Sequence, residues 1–185
     1  AYNHRGMAFE ALGRIKEAAK DYARAARLNP QSVAAINNRG AARMEEKKYE
    51  AALADFTKAI KLKPDFAPAY NNRGMVQATL GKMDAAVNDY SKALNLNGNN
   101  ASFYVNRGLA YAALDKNDAA ISDYTSAIQL EPNNPKAYHA RAVVRMAIAE
   151  QKSEAKADLD KAAELYLKQG DRKEYDVVKS LTLKP

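Results

Sequence analysis

The chain has 185 residues, no cysteine, and 29 basic against 22 acidic side chains for a net charge of +7. The missing cysteines exclude disulfides and thiolate metal sites and assign no compartment. There is no apolar run of about eighteen residues and no charged-then-apolar leader, so neither a membrane span nor a retained signal peptide is expected in this stretch. The chain opens at Ala1-Tyr2-Asn3, already inside a repeat and without Met, which is consistent with an upstream leader, anchor or further repeats.

The phrase Asn-Arg-Gly returns at Asn38-Arg39-Gly40, Asn72-Arg73-Gly74 and Asn106-Arg107-Gly108, a period of 34 residues. Gly6, Gly40, Gly74 and Gly108 keep the same register, as do Ala18, Ala52, Ala86 and Ala120, and then Pro30, Pro64 and Pro132. A period of this length predicts a helical solenoid. Within each period the apolar residues fall twice at helical spacing, as in Tyr49, Ala52, Leu53, Phe56, Ala59 and Ile60, so each unit reads as a helical hairpin.

In chain order, first helices are predicted near 1–12, 33–46, 67–80, 101–114 and 135–149, and second helices near 15–28, 48–62, 83–96, 117–130 and 152–168. Gly13 and Gly81 mark turns within hairpins, and Pro30 and Pro64 stop second helices. Asp65 through Pro68 and Asn134-Pro135 read as helix starts, where proline's missing donor costs nothing. Gly40 and Ala52 allow two backbones to approach closely beside an aromatic side chain. Beyond Leu165 the repeat pattern ends. Gly170 reads as a helix stop, and Tyr175, Val178 and Leu181 form an apolar stripe that suits a last helix near 171–182 covering the end of the stack.

Tyr2, Gly6, Phe9, Gly13, Ala18, Tyr22, Ala25 and Pro30, in that order, resemble the signature of the tetratricopeptide repeat family. The likeness implies an all-α, right-handed superhelical solenoid of antiparallel helix-turn-helix hairpins with a C-terminal capping helix. It implies one domain over 1–185, with units at about 1–34, 35–68, 69–102, 103–136 and 137–170. Departures are Gly98 for proline, Ala142 for glycine, and Arg43, Gln77 and Arg145 where an aromatic is expected. The fifth unit reads best with one extra residue in its turn, which brings Ala155, Leu159 and Ala162 into register. The C-terminal end, Asp158-Leu159 and Lys161-Ala162-Ala163 before Gln169-Gly170, is similar to the tail of cyanobacterial and plastid repeat proteins.

Little in the chain suggests catalysis. His4 and His139 are far apart, and no phosphate loop, nucleophile elbow or metal spacing is present. We therefore expect no enzyme activity and no cofactor. The positive excess is mild and interspersed, which reads as a solvated face rather than a nucleic-acid surface.

Arg5, Arg39, Arg73, Arg107 and Arg141 recur on first helices, and Asp21, Asp55, Asp89, Asp123 and Asp158 recur on second helices. The planar guanidinium fork suits a carboxylate, so five structural pairs are expected, with an anion-binding stripe as the alternative.

Asn38, Asn72 and Asn106, with Asn3, Asn37 and Asn71 beside them, carry both donors and acceptors. They would either grip the backbone of an extended peptide or tie neighbouring first helices together. The row resembles the asparagine ladder in the repeat groove of O-linked N-acetylglucosamine transferase. In the family, first helices line the binding groove. The matching side chains here are Asn3, Met7, Asn37, Met44, Asn71, Met75, Val105, Leu109, His139, Val143 and Met146, with Ala41, Ala78 and Ala112 as small floor positions. The family's carboxylate clamp is absent, because Asn3 and Met7 stand where its first Lys and Asn would be.

The resemblance implies a non-catalytic protein-interaction scaffold, of assembly-factor or adaptor type, that binds an extended or helical peptide segment. The alternative is the substrate-adaptor region of a larger enzyme. Protein or peptide partners are expected, not nucleic acid or direct membrane insertion. Head-to-tail contact between copies through Tyr2, Phe9 and Ile15 is a lesser expectation.

Overall fold

A helix that is apolar on one stripe must bury that stripe against a neighbour, and within each hairpin here the neighbour is the next helix in the chain. The computed structural model describes residues 1–182, which hold eleven α-helices and no strand. In order these are α1 (Tyr2–Ala11), α2 (Ile15–Leu28), α3 (Val33–Glu45), α4 (Tyr49–Leu62), α5 (Ala67–Thr79) and α6 (Met83–Leu96). There follow α7 (Ala101–Ala113), α8 (Asn117–Leu130), α9 (Pro135–Met146), α10 (Lys152–Lys168) and α11 (Arg172–Thr182). They pack consecutively as hairpins, α1 with α2 through α9 with α10, and α11 lies on α10. The chain divides into two compact units, Ala1–Gly98 and Asn99–Pro185.

Helix starts follow local chemistry. Ser32, Asn100 and Asn134 each accept a backbone N–H of the first turn, from Ala35, Ser102 and Lys136, and so satisfy a donor left over at the helix end. The start of α5 follows the sequence reading: the helix begins at Ala67 with Pro68 in its first turn, and Phe66, which makes no side-chain cap, precedes it.

Hairpin packing turns on one contact. A Cβ built on Gly6, Gly40, Gly74 or Gly108 would lie 2.6–2.8 Å from the ring of Tyr22, Phe56, Tyr90 or Tyr124 respectively, closer than carbon atoms pack. Each glycine thus lets a buried aromatic of the second helix lie close on the first, with Ala18, Ala52, Ala86 and Ala120 buried nearby.

The fifth hairpin carries the extra residue expected from its register. Its first helix ends at Met146, not near 149, and a 3₁₀ turn over Ala149–Gln151 leads into α10. In the second unit Val178 of α11 is fully buried against Ala142, Leu159, Ala163 and Tyr166, and Tyr175 and Leu181 pack beside it. The last helix covers the fifth hairpin with the stripe identified in the sequence.

Candidate functional site

All five arginine–aspartate pairs form. Arg5, Arg39, Arg73, Arg107 and Arg141 donate through Nε and Nη2 to both carboxylate oxygens of Asp21, Asp55, Asp89, Asp123 and Asp158, at 2.5–2.8 Å. Every one of these aspartates is buried, and each pair joins the two helices of one hairpin. The hydrogen bonds to Asp89 raise the Arg73 guanidinium further above its already high value. Tyrosines at the starts of first helices lie under the same cations, with Arg73, Arg107 and Arg141 centred 5.7–5.9 Å from Tyr70, Tyr104 and Tyr138. Both arginines that replace family aromatics have a partner as well. Arg43 and Arg145 add a second guanidinium to Asp55 and Asp158, at 2.7 and 2.8 Å.

In the first unit the asparagines bond to one another. Asn38 Nδ2 donates to Asn3 Oδ1 at 3.2 Å, and Asn37 Nδ2 donates to Asn38 Oδ1 at 3.4 Å. Asn72 Nδ2 donates to Asn37 Oδ1 at 3.1 Å, and Asn71 Nδ2 donates to Asn72 Oδ1 at 3.3 Å. The result is a relay running from α5 across α3 to α1. Asn37 and Asn71 are only 6% and 7% exposed and lie within it, whereas Asn3, Asn38 and Asn72 keep part of their surface. An asparagine amide has two donors and two acceptor positions. These bonds take one of each from Asn38 and from Asn72, leaving one donor and one acceptor on both.

The remaining groove candidates separate by unit. In the first unit Met7 is exposed, Met75 is half-buried, and Met44 is half-buried against the cluster of Ala52, Phe56 and Val76. Asn106, also half-buried, belongs to α7 of the second unit. There Val105 and Leu109 of α7 meet His139 and Val143 of α9 along a cleft of about 550 Å³. Leu109 and Val143, 52% and 49% exposed, line the same cleft, so their apolar surface is contiguous there. Met146 lies apart, in a smaller recess with Leu159 and Leu181.

Sequence reasoning missed the far wall of the cleft, built by Tyr166 of α10 and by Asp171 and Glu174 around the start of α11. The Tyr166 ring meets the His139 ring edge-on, with centroids 6.5 Å apart. Burial lowers the pKa of the His139 imidazole, and the Glu174 carboxylate opposes that shift. The apolar stripe of α11 marked its packing, but nothing in the stripe indicated that its acidic first turn would rim a cleft.

Among the described residues no group of three or more His, Asp or Glu could hold a metal ion, and no helix is long and apolar enough to cross a membrane. Family models described as TPR repeat match residues 40–81 and 78–115, and models described as tetratricopeptide repeat match 1–32 and 101–134. The chain belongs to the tetratricopeptide repeat family. Repeats of this family bind protein or peptide partners and are generally non-catalytic scaffolds, so the chain is read as a protein-interaction scaffold.

Solved structures share the fold at low identity. A thermophilic tetratricopeptide repeat protein of Thermus thermophilus matches at 24% identity and a TM-score of 0.82, over 96% of each chain. MamA of Desulfovibrio magneticus matches at 21% identity and a TM-score of 0.75, over 91% of this chain and 94% of that one. YrrB, described as a TPR protein with an unusual peptide-binding site, matches at 21% identity and a TM-score of 0.70, over 97% of this chain and 90% of that one. No curated protein matches the chain significantly.

Proposed function

We propose that the chain is a non-catalytic scaffold that holds an extended or helical peptide segment of a partner protein on its first-helix faces. The observation that carries this reading is the cleft of the second unit, where Val105, Leu109, His139 and Val143 leave apolar surface open beside a polar rim. Such a floor suits an apolar side chain of a partner segment. In the first unit Asn38 and Asn72 each retain a donor and an acceptor, the pair that a peptide backbone presents. The peptide-binding description of YrrB, a protein of like fold, is in keeping with this reading.

The test is selection of binders from a displayed peptide library, followed by calorimetry of a selected peptide. Leu109→Ala with Val143→Ala should weaken binding about ten- to a hundredfold, because each truncation removes apolar contact. Asn38→Ala with Asn72→Ala should weaken it about five- to a hundredfold, at about 0.5 to 1.5 kcal/mol per lost hydrogen bond. Unaltered affinity in both double variants, with helicity retained, would move the binding surface elsewhere.

A further inference from the structure

A second surface of the first unit has its own chemistry. Between α2 and the start of α4, over the C-terminal half of α3, lies a crevice of about 530 Å³ lined by Lys16, Lys20, Arg39, Arg43 and Lys48 and by one carboxylate, Glu46, which Lys48 pairs at 2.7 Å. Its floor is alanine, with Ala19, Ala23 and Ala42 among its residues.

Comparison with the sister repeats shows what the crevice lacks. Arg73 and Arg141 each spend their third nitrogen, Nη1, on a threonine of the preceding hairpin, at 3.3 Å to Thr57 Oγ1 and 2.9 Å to Thr125 Oγ1. One period before Thr57 the chain has Ala23, so Arg39 meets no such hydroxyl. Its other nitrogens are on Asp55, and Arg43 draws on the same carboxylate. One buried carboxylate thus serves two partly buried guanidiniums, leaving positive charge and unspent donors at the crevice. Lys16 and Lys20, one turn apart on α2, are exposed and make no ion pair among the described residues.

We propose that this crevice docks an acidic helical segment of a partner protein, with small residues against the alanines and carboxylates on Arg39, Arg43, Lys16 and Lys20. The charge complements a carboxylate-rich face, and the guanidinium fork favours carboxylates. The alanine floor lets a helix backbone approach closely. It also offers no aromatic on which a base could stack, which disfavours nucleic acid. Arg39, Ala42 and Arg43 share α3 with Asn37, Asn38 and Met44, but none of the crevice residues is among those assigned to the peptide groove, so this docking stands or falls independently of it.

The test titrates the full ¹⁵N-labelled chain at low salt with a synthetic helical peptide of glutamate and alanine, its alanines confined to one face. Shifts are expected at the Ala19, Ala23 and Ala42 amides and at the Arg39 and Arg43 Nε signals. Lys16→Glu with Lys20→Glu should weaken binding about tenfold or more. Ala23→Thr, which gives Arg39 the hydroxyl its sisters have, should weaken it about two- to tenfold at unchanged melting temperature. The proposal is overturned if the crevice signals stay fixed or if both variants bind as the parent does. It is equally overturned if inorganic phosphate at matching concentration reproduces every shift, or if oligouridylate moves these signals while the peptide does not.

Discussion

Arg73 donates to both oxygens of Asp89 at 2.7 Å across one hairpin, and this fork is repeated in all five hairpins. Arg73 is 23% exposed, so the pair is largely withdrawn from water. Removing one partner leaves the other charge unsatisfied, and that stranded charge dominates the cost. Asp89→Ala should therefore destabilise by about 3 kcal/mol in urea unfolding. Asp21→Ala should cost distinctly less, since its partner Arg5 is 58% exposed and water can replace the carboxylate. Equal losses at the two sites would refute the role assigned to burial.

Four turns within hairpins need a left-handed residue, at Gly13, Lys47, Gly81 and Asp115, with φ of +70°, +59°, +75° and +56°. Glycine adopts this conformation freely, whereas a side chain is strained there. Lys47→Gly and Asp115→Gly should each stabilise by up to about 1 kcal/mol, read as a higher urea midpoint at constant slope. A lower midpoint for both would show that the side chains contribute more than the strain costs.

Val178 is the buried anchor of α11. Val178→Asp should release that helix, lower the melting temperature and expose the apolar surface of Leu159, Ala163 and Tyr166, with self-association rising with concentration. Ultracentrifugation and a thermal melt would show it. A monomer with the parent melting temperature would refute the covering role.

The folded state favours neutral His139, because burial lowers its pKa below the unfolded value of about 6.5. The stability it contributes is complete above that value and is lost as pH falls through it toward the lower folded value. The melting temperature should fall between about pH 7.5 and pH 5.5, and less steeply in His139→Gln. The Arg5–Asp21 pair responds at lower pH: hydrogen bonds from Arg5 hold the Asp21 carboxyl below its ordinary range, so its contribution is lost only as pH falls below about 4. Identical slopes for parent and variant would exclude the histidine.

The sequence by itself determined the hairpins, the boundaries of nearly every helix and the covering helix, and favoured five ion pairs over an anion-binding stripe, because each rests on spacing within one repeat or between adjacent helices. Gly6 through Gly108 and their aromatics carry that information in a 34-residue register. The left-handed backbone at Lys47 and Asp115 emerged only in the structure, at the register positions held by Gly13 and Gly81. Only the tertiary structure decided what neighbouring hairpins do to each other. It buried Asn37 and Asn71 in a relay of amides, set the acidic turn of α11 beside His139, and left Arg39 short of a hydroxyl over Ala23. Those outcomes depend on how far side chains reach from one hairpin to the next, and a one-dimensional period does not encode that reach.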